Sequence, residues 1–171
     1  ALPPSAARIE VMPSSVLHRV DRDKVAQRQA RPGPRTGLRL LFVGRLIGWK
    51  GPGLALAAFA RYLRSFPDAH LDLYGDGPMR RWLEQRARAL GVADHVTFKG
   101  IVPREQLLTA YADYQVFLFP SMHDSSGFAS LEAMAAGLPV VCLDTGGPGA
   151  AVPPEAGWKV PVTTPGRAVP E

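Results

Sequence analysis

The 171 residues, 46% of them apolar, suffice for one domain with a buried core, and the single cysteine, Cys142, excludes an internal disulfide framework and reads as a buried thiol of a reducing compartment. The net charge of +5 sits mostly in residues 1–36, with seven Arg/Lys against three Asp/Glu, while residues 37–171 hold thirteen against twelve; a nearly neutral folded part argues against a sequence-independent nucleic-acid binder. No apolar run reaches the roughly 18–20 residues that span a bilayer.

In chain order, residues 1–36 read as a strand and a basic linker ahead of a domain at 37–171. Arg8–Met12 (RIEVM) is a short apolar strand closed by Pro13–Ser14–Ser15. Asp21–Arg31 is a charge run, and Arg31–Gly37 (RPGPRTG) is a Pro/Gly linker. His18 reads as a surface histidine within this arm. Leu38–Val43 (LRLLFV) is the first strand of the domain and stops at Gly44. Pro52–Phe66 has apolar residues at helical spacing, Leu54, Leu56, Phe59, Ala60 and Leu63, with a proline well placed in its first turn. Leu71–Tyr74 is a strand. Pro78–Leu90 is a helix, Arg-rich outside, with Trp82, Leu83 and Leu90 available for packing. Val96–Phe98 is a strand, and Pro103–Ala112 is a helix with Leu107, Leu108 and Tyr111 inside. Gln115–Phe119 is a strand, and a Ser/Gly turn then opens an Ala-rich helix. Val140–Leu143 is a strand, with Trp158–Val160 as a candidate sixth. Trp49, Trp82 and Trp158 read as packing residues.

Strands alternating with helices every 20–30 residues predict α/β architecture: a doubly wound, parallel, Rossmann-like sheet covered on both faces. In such sheets ligands bind at the carboxyl ends of the strands. Those ends carry Gly44–Arg45, Gly75–Asp76–Gly77–Pro78, Gly100, then Pro120–Ser121 with Asp124 and Gly127, and Asp144–Thr145–Gly146–Gly147. The gathering of glycines and polar residues on one edge is stronger evidence than any single motif.

In the first of these loops, VGRLIGWKG at 43–51, Arg45 and Lys50 flank a turn just before a helix. Two cations there suit a diphosphate, Arg through its planar fork and Lys as a point charge; a pair of solvated surface charges is the plainer alternative. In the fourth loop, Asp124–Gly127 caps the following helix, with Ser125 and Ser126 as good N-cap residues; capping alone is again the plainer alternative. Glu132 is harder to dismiss, because a lone carboxylate in an apolar helix is costly without a partner. It stands eight residues beyond Asp124, across the helix start. Helix amides and carboxylates together suit a phosphorylated, polyhydroxylated ligand.

Other chemistries find no support in the sequence. GxxxxGK[ST] and GxSxG are absent, and the one GxG, Gly75–Gly77, runs into Pro78 without a third glycine, which argues against an NAD-dependent enzyme. His70, His95 and His123 have no metal-binding spacing. His70 and His95 fall at strand starts, away from the ligand edge, and His123 reads as a surface residue.

Taken together, VGRLIGWKG (43–51), YGDGPMRRWLE (74–84), VTFKGIVPREQLLTAYADYQVFLFPS (96–121), DSSGFASLEAMAAGLPVV (124–141) and Gly146–Gly147 resemble the carboxyl-terminal domain of the retaining GT-B glycosyltransferases of family GT4, the glycosyl transferases group 1. RIEVMPSSV (8–16) looks like the segment that leads into that domain. The resemblance implies transfer of a sugar from a nucleotide-diphosphate-sugar to an acceptor, with retention at the anomeric carbon; no metal or other cofactor is expected, because the domain at 37–171 has no DxD and two cations can do a metal's electrostatic work. It implies that Glu132 binds the ribose hydroxyls and that Asp124 contacts the transferred sugar. Amides of Gly127, Phe128 and Ala129 would meet the sugar or the diphosphate. Arg45 and Lys50, beside Gly44, would neutralise the leaving diphosphate, and Gly100–Ile101–Val102 would lie against the base. Asp124 stands where the family usually has Glu, and TGGPG replaces the commoner GGxPE. The family also has an amino-terminal acceptor-binding domain, so the chain reads as a donor-binding domain that begins near the interdomain linker and is inactive alone. A role in polysaccharide or glycolipid synthesis would place the enzyme in the cytoplasm at the inner membrane face, and the basic arm at 19–35 is compatible with that contact.

Overall fold

The computed structural model describes residues 37–162 except Ser126. The expected strand at 8–12, the basic arm and His18 lie outside the described residues. The elements are β1 (Arg39–Val43), α1 (Pro52–Leu63), β2 (His70–Tyr74), α2 (Arg80–Ala89), β3 (Val96–Gly100), α3 (Arg104–Ala110), β4 (Val116–Phe119), α4 (Phe128–Ala135), β5 (Val140–Leu143), α5 (Gly146–Ala151) and β6 (Gly157–Val160). All six strands join one sheet in the order β3-β2-β1-β4-β5-β6, and every pairing is parallel. The chain winds outward from β1 to one edge, returns, and winds to the other, as in doubly wound sheets. Short α5 was not expected from the glycine-rich exit after β5.

Two cores flank the sheet. Leu40 and Phe42 of β1 point to one face, with Leu71 and Leu73 of β2, and meet Ala55, Leu56 and Phe59 of α1 and Leu83 and Ala87 of α2. Leu41 points to the other face, with Phe117 and Phe119 of β4 and Val140 and Cys142 of β5, against Tyr111, Tyr114 and Ala133. Side chains alternate across a strand, so a central strand buried on both faces must be apolar throughout. Burial pushes the Cys142 thiol up from its ordinary pKa.

Three expected packing residues are not buried. Trp49 sits in a 3-10 turn at Gly48–Lys50, Trp82 lies on the outer side of α2, and Trp158 is on edge strand β6, and each is about half exposed or more. Leu108 of α3 is also exposed. In each case the register of the element, not the side chain's hydrophobicity, sets the direction. His70 and His95 lie together at the amino-terminal edge, with ring centroids 5.4 Å apart and His95 Nδ1 3.1 Å from the Ala69 carbonyl.

One charged group is deeply buried. Asp72, in the middle of β2, accepts from Tyr114 Oη at 2.6 Å and from Arg39 Nη2 at 2.9 Å, with Lys99 Nζ at 3.5 Å. Tyr114 Oη is also 3.2 Å from Tyr74 Oη. Burial first, then the bond to Asp72, pushes the Tyr114 phenol far above its ordinary value, so it stays a donor. The cluster ties β1, β2 and β3 to the segment before β4. Removing the hydroxyl takes the shortest of three contacts from Asp72 Oδ2, a buried bond to a charged group, and leaves Arg39 and Lys99 on that oxygen. Tyr114→Phe should therefore cost about 1–3 kcal/mol in urea unfolding, and an unchanged midpoint would mean the bond adds no net stability.

Candidate functional site

The carboxyl-terminal edge of the sheet is a set of loops laced together by backbone contacts. The loop after β1 is held to the loop after β2: Leu46 N–H donates to the Asp76 carbonyl and Met79 N–H to the Leu46 carbonyl, both at 3.0 Å. Gly75 has φ +120°, and a Cβ there would lie 2.0 Å from the Gly44 carbonyl oxygen. The lone GxG of the sequence thus serves loop packing, because only glycine lets the two backbones approach so closely. Gly75 N–H in turn donates to the Gly100 carbonyl at 2.8 Å, which fixes the start of the loop after β3.

The loop after β1 is also held to the loop after β4. Met122 N–H donates to the Trp49 carbonyl at 2.8 Å, and Ser121 Oγ donates to the same oxygen at 3.2 Å. Gly51, the N-cap of α1, has φ +70°, and a Cβ on it would sit 2.1 Å from the Pro120 carbonyl oxygen. The loop after β4 is held to the loop after β5 by Gly147 N–H, which donates to the Asp124 carbonyl at 2.8 Å.

Side chains complete this frame. Lys50 Nζ forms an ion pair with Asp124 Oδ2, and both groups are largely buried. The other Asp124 oxygen, Oδ1, accepts from Gly127 N–H at 2.7 Å. The structure thus joins two predicted site residues directly: the cation of the first loop and the carboxylate of the fourth. Arg45 differs from Lys50, being exposed and making no side-chain hydrogen bond or ion pair among the described residues.

Helix α4 starts from Gly127, which is its N-cap with φ +61°. No side chain caps it, so Ser125 does not take the N-cap place expected from its residue type; Ser126 is not described. A side-chain cap would have to belong to the N-cap residue, and that residue is Gly127, which has no side chain; Asp124 instead accepts from the Gly127 amide, one step ahead of the helix. Gly127 O accepts from Ser130 N–H at 2.8 Å and Ser130 Oγ at 2.6 Å, whereas Phe128 and Ala129 N–H make no hydrogen bond to the described residues. Unsatisfied amides at a helix start favour an anion.

Glu132, on α4, has the partner that its burial demands. Arg104 Nη2, from the first turn of α3, lies 2.6 Å from Glu132 Oε1; the Glu132 side chain is 11% exposed and the arginine 53%. Tyr111 Oη is 3.5 Å from Glu132 Oε2. Burial foremost, then the charge of Glu132, pushes the Tyr111 phenol well above its usual value, so it faces the carboxylate as a neutral donor. Neither Arg104 nor the Tyr111 hydroxyl was legible as a site group. Arg104 follows a proline at a helix start, where arginine is ordinary, and nothing local in the sequence connects it to a residue 28 positions later. In the loop after β3, Gly100 has φ +70°, Ile101 is 82% exposed, and Val102 packs partly against the core. His123 is exposed, in line with a surface role. Among the described residues no group of three or more His, Cys, Asp or Glu is placed to hold a metal ion. No described helix is long and apolar enough to cross a membrane.

Comparison with known proteins gives this edge a context. Residues 23–168 match the family model for glycosyl transferases group 1. A GDP-mannose-dependent alpha-(1-6)-phosphatidylinositol monomannoside mannosyltransferase of Mycolicibacterium smegmatis is 34% identical over 161 residues, covering 86% of this chain and 41% of that protein. The solved structure of Anabaena Alr3699/HepE in complex with UDP and glucose aligns with a TM-score of 0.67 at 25% identity, covering 85% of this chain and 39% of that one. The carboxyl-terminal domain of a group 1 family protein (LpcC) from Francisella tularensis has the same fold, with a TM-score of 0.67 at 23% identity over 84% of this chain and 76% of that one. The chain spans 27% to 41% of the length of the first curated relatives it matches. With the family match covering most of its length, the chain belongs to the glycosyl transferases group 1 family, and its doubly wound sheet is the fold of the carboxyl-terminal domain of a GT-B glycosyltransferase.

Proposed function

We propose that this chain is the donor-binding domain of a retaining glycosyltransferase that moves a sugar from a nucleotide-diphosphate-sugar to an acceptor in polysaccharide or glycolipid synthesis. The observation that carries the reading is the meeting of cation, carboxylate and helix start at one sheet edge: Lys50 on Asp124, Asp124 on the Gly127 amide, and Glu132 one turn further along the same helix. The reading is supported by the UDP and glucose bound in the Anabaena structure and by the GDP-mannose dependence in the name of the Mycolicibacterium relative.

In this reading the diphosphate lies over the start of α4. The amides of Phe128 and Ala129 donate to it, and Arg45 and Lys50 offset the charge that develops as it leaves. No metal ion is required, because two cations and a helix terminus supply the electrostatic stabilisation. Lys50 shares its charge with Asp124, so Arg45 supplies the uncompensated cation. Asp124 holds Lys50 and the turn, and contacts a hydroxyl of the transferred sugar. Glu132 accepts from the ribose hydroxyls, and Gly100–Ile101–Val102 lies against the base. Attack from the face that the diphosphate leaves, with that phosphate helping to take the acceptor's proton, accounts for retention. An acceptor-binding domain of the whole protein closes the other side of the cleft. The chain by itself binds the nucleotide or nucleotide-sugar without turnover, at a cytoplasmic site open to contact with the inner membrane face.

Calorimetric titration of the chain with UDP, GDP and ADP should detect binding of at least one; no binding to any would overturn the reading. In the whole enzyme, Arg45→Ala and Lys50→Ala should each lower kcat at least about tenfold, and unchanged kinetics in both would remove the diphosphate assignment. Lys50→Ala and Asp124→Ala should not be additive, because the residues form one ion pair. A double variant losing the full product of both single effects would show that they act independently.

A further inference from the structure

Glu132 lies in the middle of the short Ala-rich helix α4, and its side chain has three rotatable bonds. To grip two neighbouring hydroxyls, its carboxylate plane must face them before they arrive. Two groups from another part of the chain bear on it. Arg104 Nη2 takes Oε1 at 2.6 Å, and Tyr111 Oη stands 3.5 Å from Oε2. Arg104 itself begins α3, two residues beyond Val102, and Pro103 between them is the N-cap with φ −55° and ψ 143°. The loop proposed to lie against the base therefore continues directly into the residue that holds the carboxylate.

We propose that Arg104 is a positioning residue for nucleotide recognition: its guanidinium sets the orientation in which Glu132 accepts the two ribose hydroxyls, and it couples that orientation to the loop at 100–102. The inference rests on the reading of Glu132 as the ribose-binding carboxylate. The arginine takes one direction of Oε1 and the Tyr111 hydroxyl one of Oε2, which leaves each oxygen a direction for the diol. A charge-assisted bond of this length fixes direction, and fixing it beforehand removes an ordering cost from binding. The planar fork of arginine does this better than the point charge of lysine. Most of the arginine is exposed, so replacing it opens no cavity in the core.

The test compares ribose selectivity rather than affinity alone. UDP, GDP and ADP, each with its 2′,3′-dideoxy counterpart, are titrated into the wild-type chain, Glu132→Gln, Arg104→Ala and Arg104→Lys. The wild type should prefer the ribonucleotide by at least about tenfold, the scale of hydrogen bonds to a charged group. Glu132→Gln should lose most of that preference. Arg104→Ala should reduce it to about threefold or less, while its affinity for the dideoxy nucleotide matches the wild type. Arg104→Lys should recover part of the difference. A full preference in Arg104→Ala would overturn the positioning role, as would tighter ribonucleotide binding, which would make Arg104 a competitor for the carboxylate. A wild type without any preference, or an unaltered preference in Glu132→Gln, would overturn the ribose assignment itself and this inference with it.

Discussion

The ion pair between Lys50 and Asp124 holds the candidate site together. The two residues are 74 positions apart and stand on loops that follow neighbouring strands, β1 and β4. A doubly wound sheet necessarily places these two loops side by side, since β1 and β4 are where its winding reverses. The crevice this leaves has no regular structure to pair its backbone. The chain closes it with the Met122 amide and the Ser121 hydroxyl on the Trp49 carbonyl, and with a glycine at 51 that admits the Pro120 carbonyl. Lys50 and Asp124 then neutralise each other where both are mostly shielded from water, and Asp124 uses its second oxygen to hold the Gly127 amide. One carboxylate thereby sets the position of the lysine and the direction in which α4 begins.

Glu132 shows the same physical economy at the other end of the site. A carboxylate shielded to this degree needs a partner, because transfer from water without one is costly. The partner comes from α3 and reaches in from solvent, so the pair stays on the rim and escapes the full desolvation of a buried ion pair. Asp72 is the contrasting case. It is wholly buried within β2 and is satisfied by three donors, and its neighbours serve the sheet rather than a ligand. Two acidic residues on one domain thus meet the same requirement with partly exposed cations, Asp72 adding a buried tyrosine hydroxyl at 2.6 Å.

Much of the fold was legible because burial on both faces leaves an unmistakable pattern. β1, β4 and β5 are continuous apolar runs, and the helices between them carry apolar residues at helical spacing. The edges were less clear. β6 has an exposed tryptophan at its second position, and α5 is made of glycine, proline and alanine, residues that signal a turn as readily as a helix. The three tryptophans illustrate the limit of reading hydrophobicity alone, for each faces outward because its element's register turns it there. At the site, the loops and their residues were legible from glycines and charges at strand ends. Their pairings were not. No local pattern links Lys50 to Asp124 or Arg104 to Glu132; strand order brings the first pair together, and the tertiary placement of α3 and α4 the second.

By itself, the sequence determined the alternation of strands and helices, the parallel sheet, the edge where polar residues gather, and the presence of Arg45, Lys50, Asp124 and Glu132 there. These follow from periodicity and residue type, which act over a few neighbouring positions. Only the tertiary structure decided which charges meet. It gave Lys50 to Asp124, gave Glu132 to Arg104, and left Arg45 exposed with no side-chain partner among the described residues. Those choices depend on distances of a few ångströms between loops far apart in the chain, and electrostatic attraction at that range is decided by geometry rather than by composition.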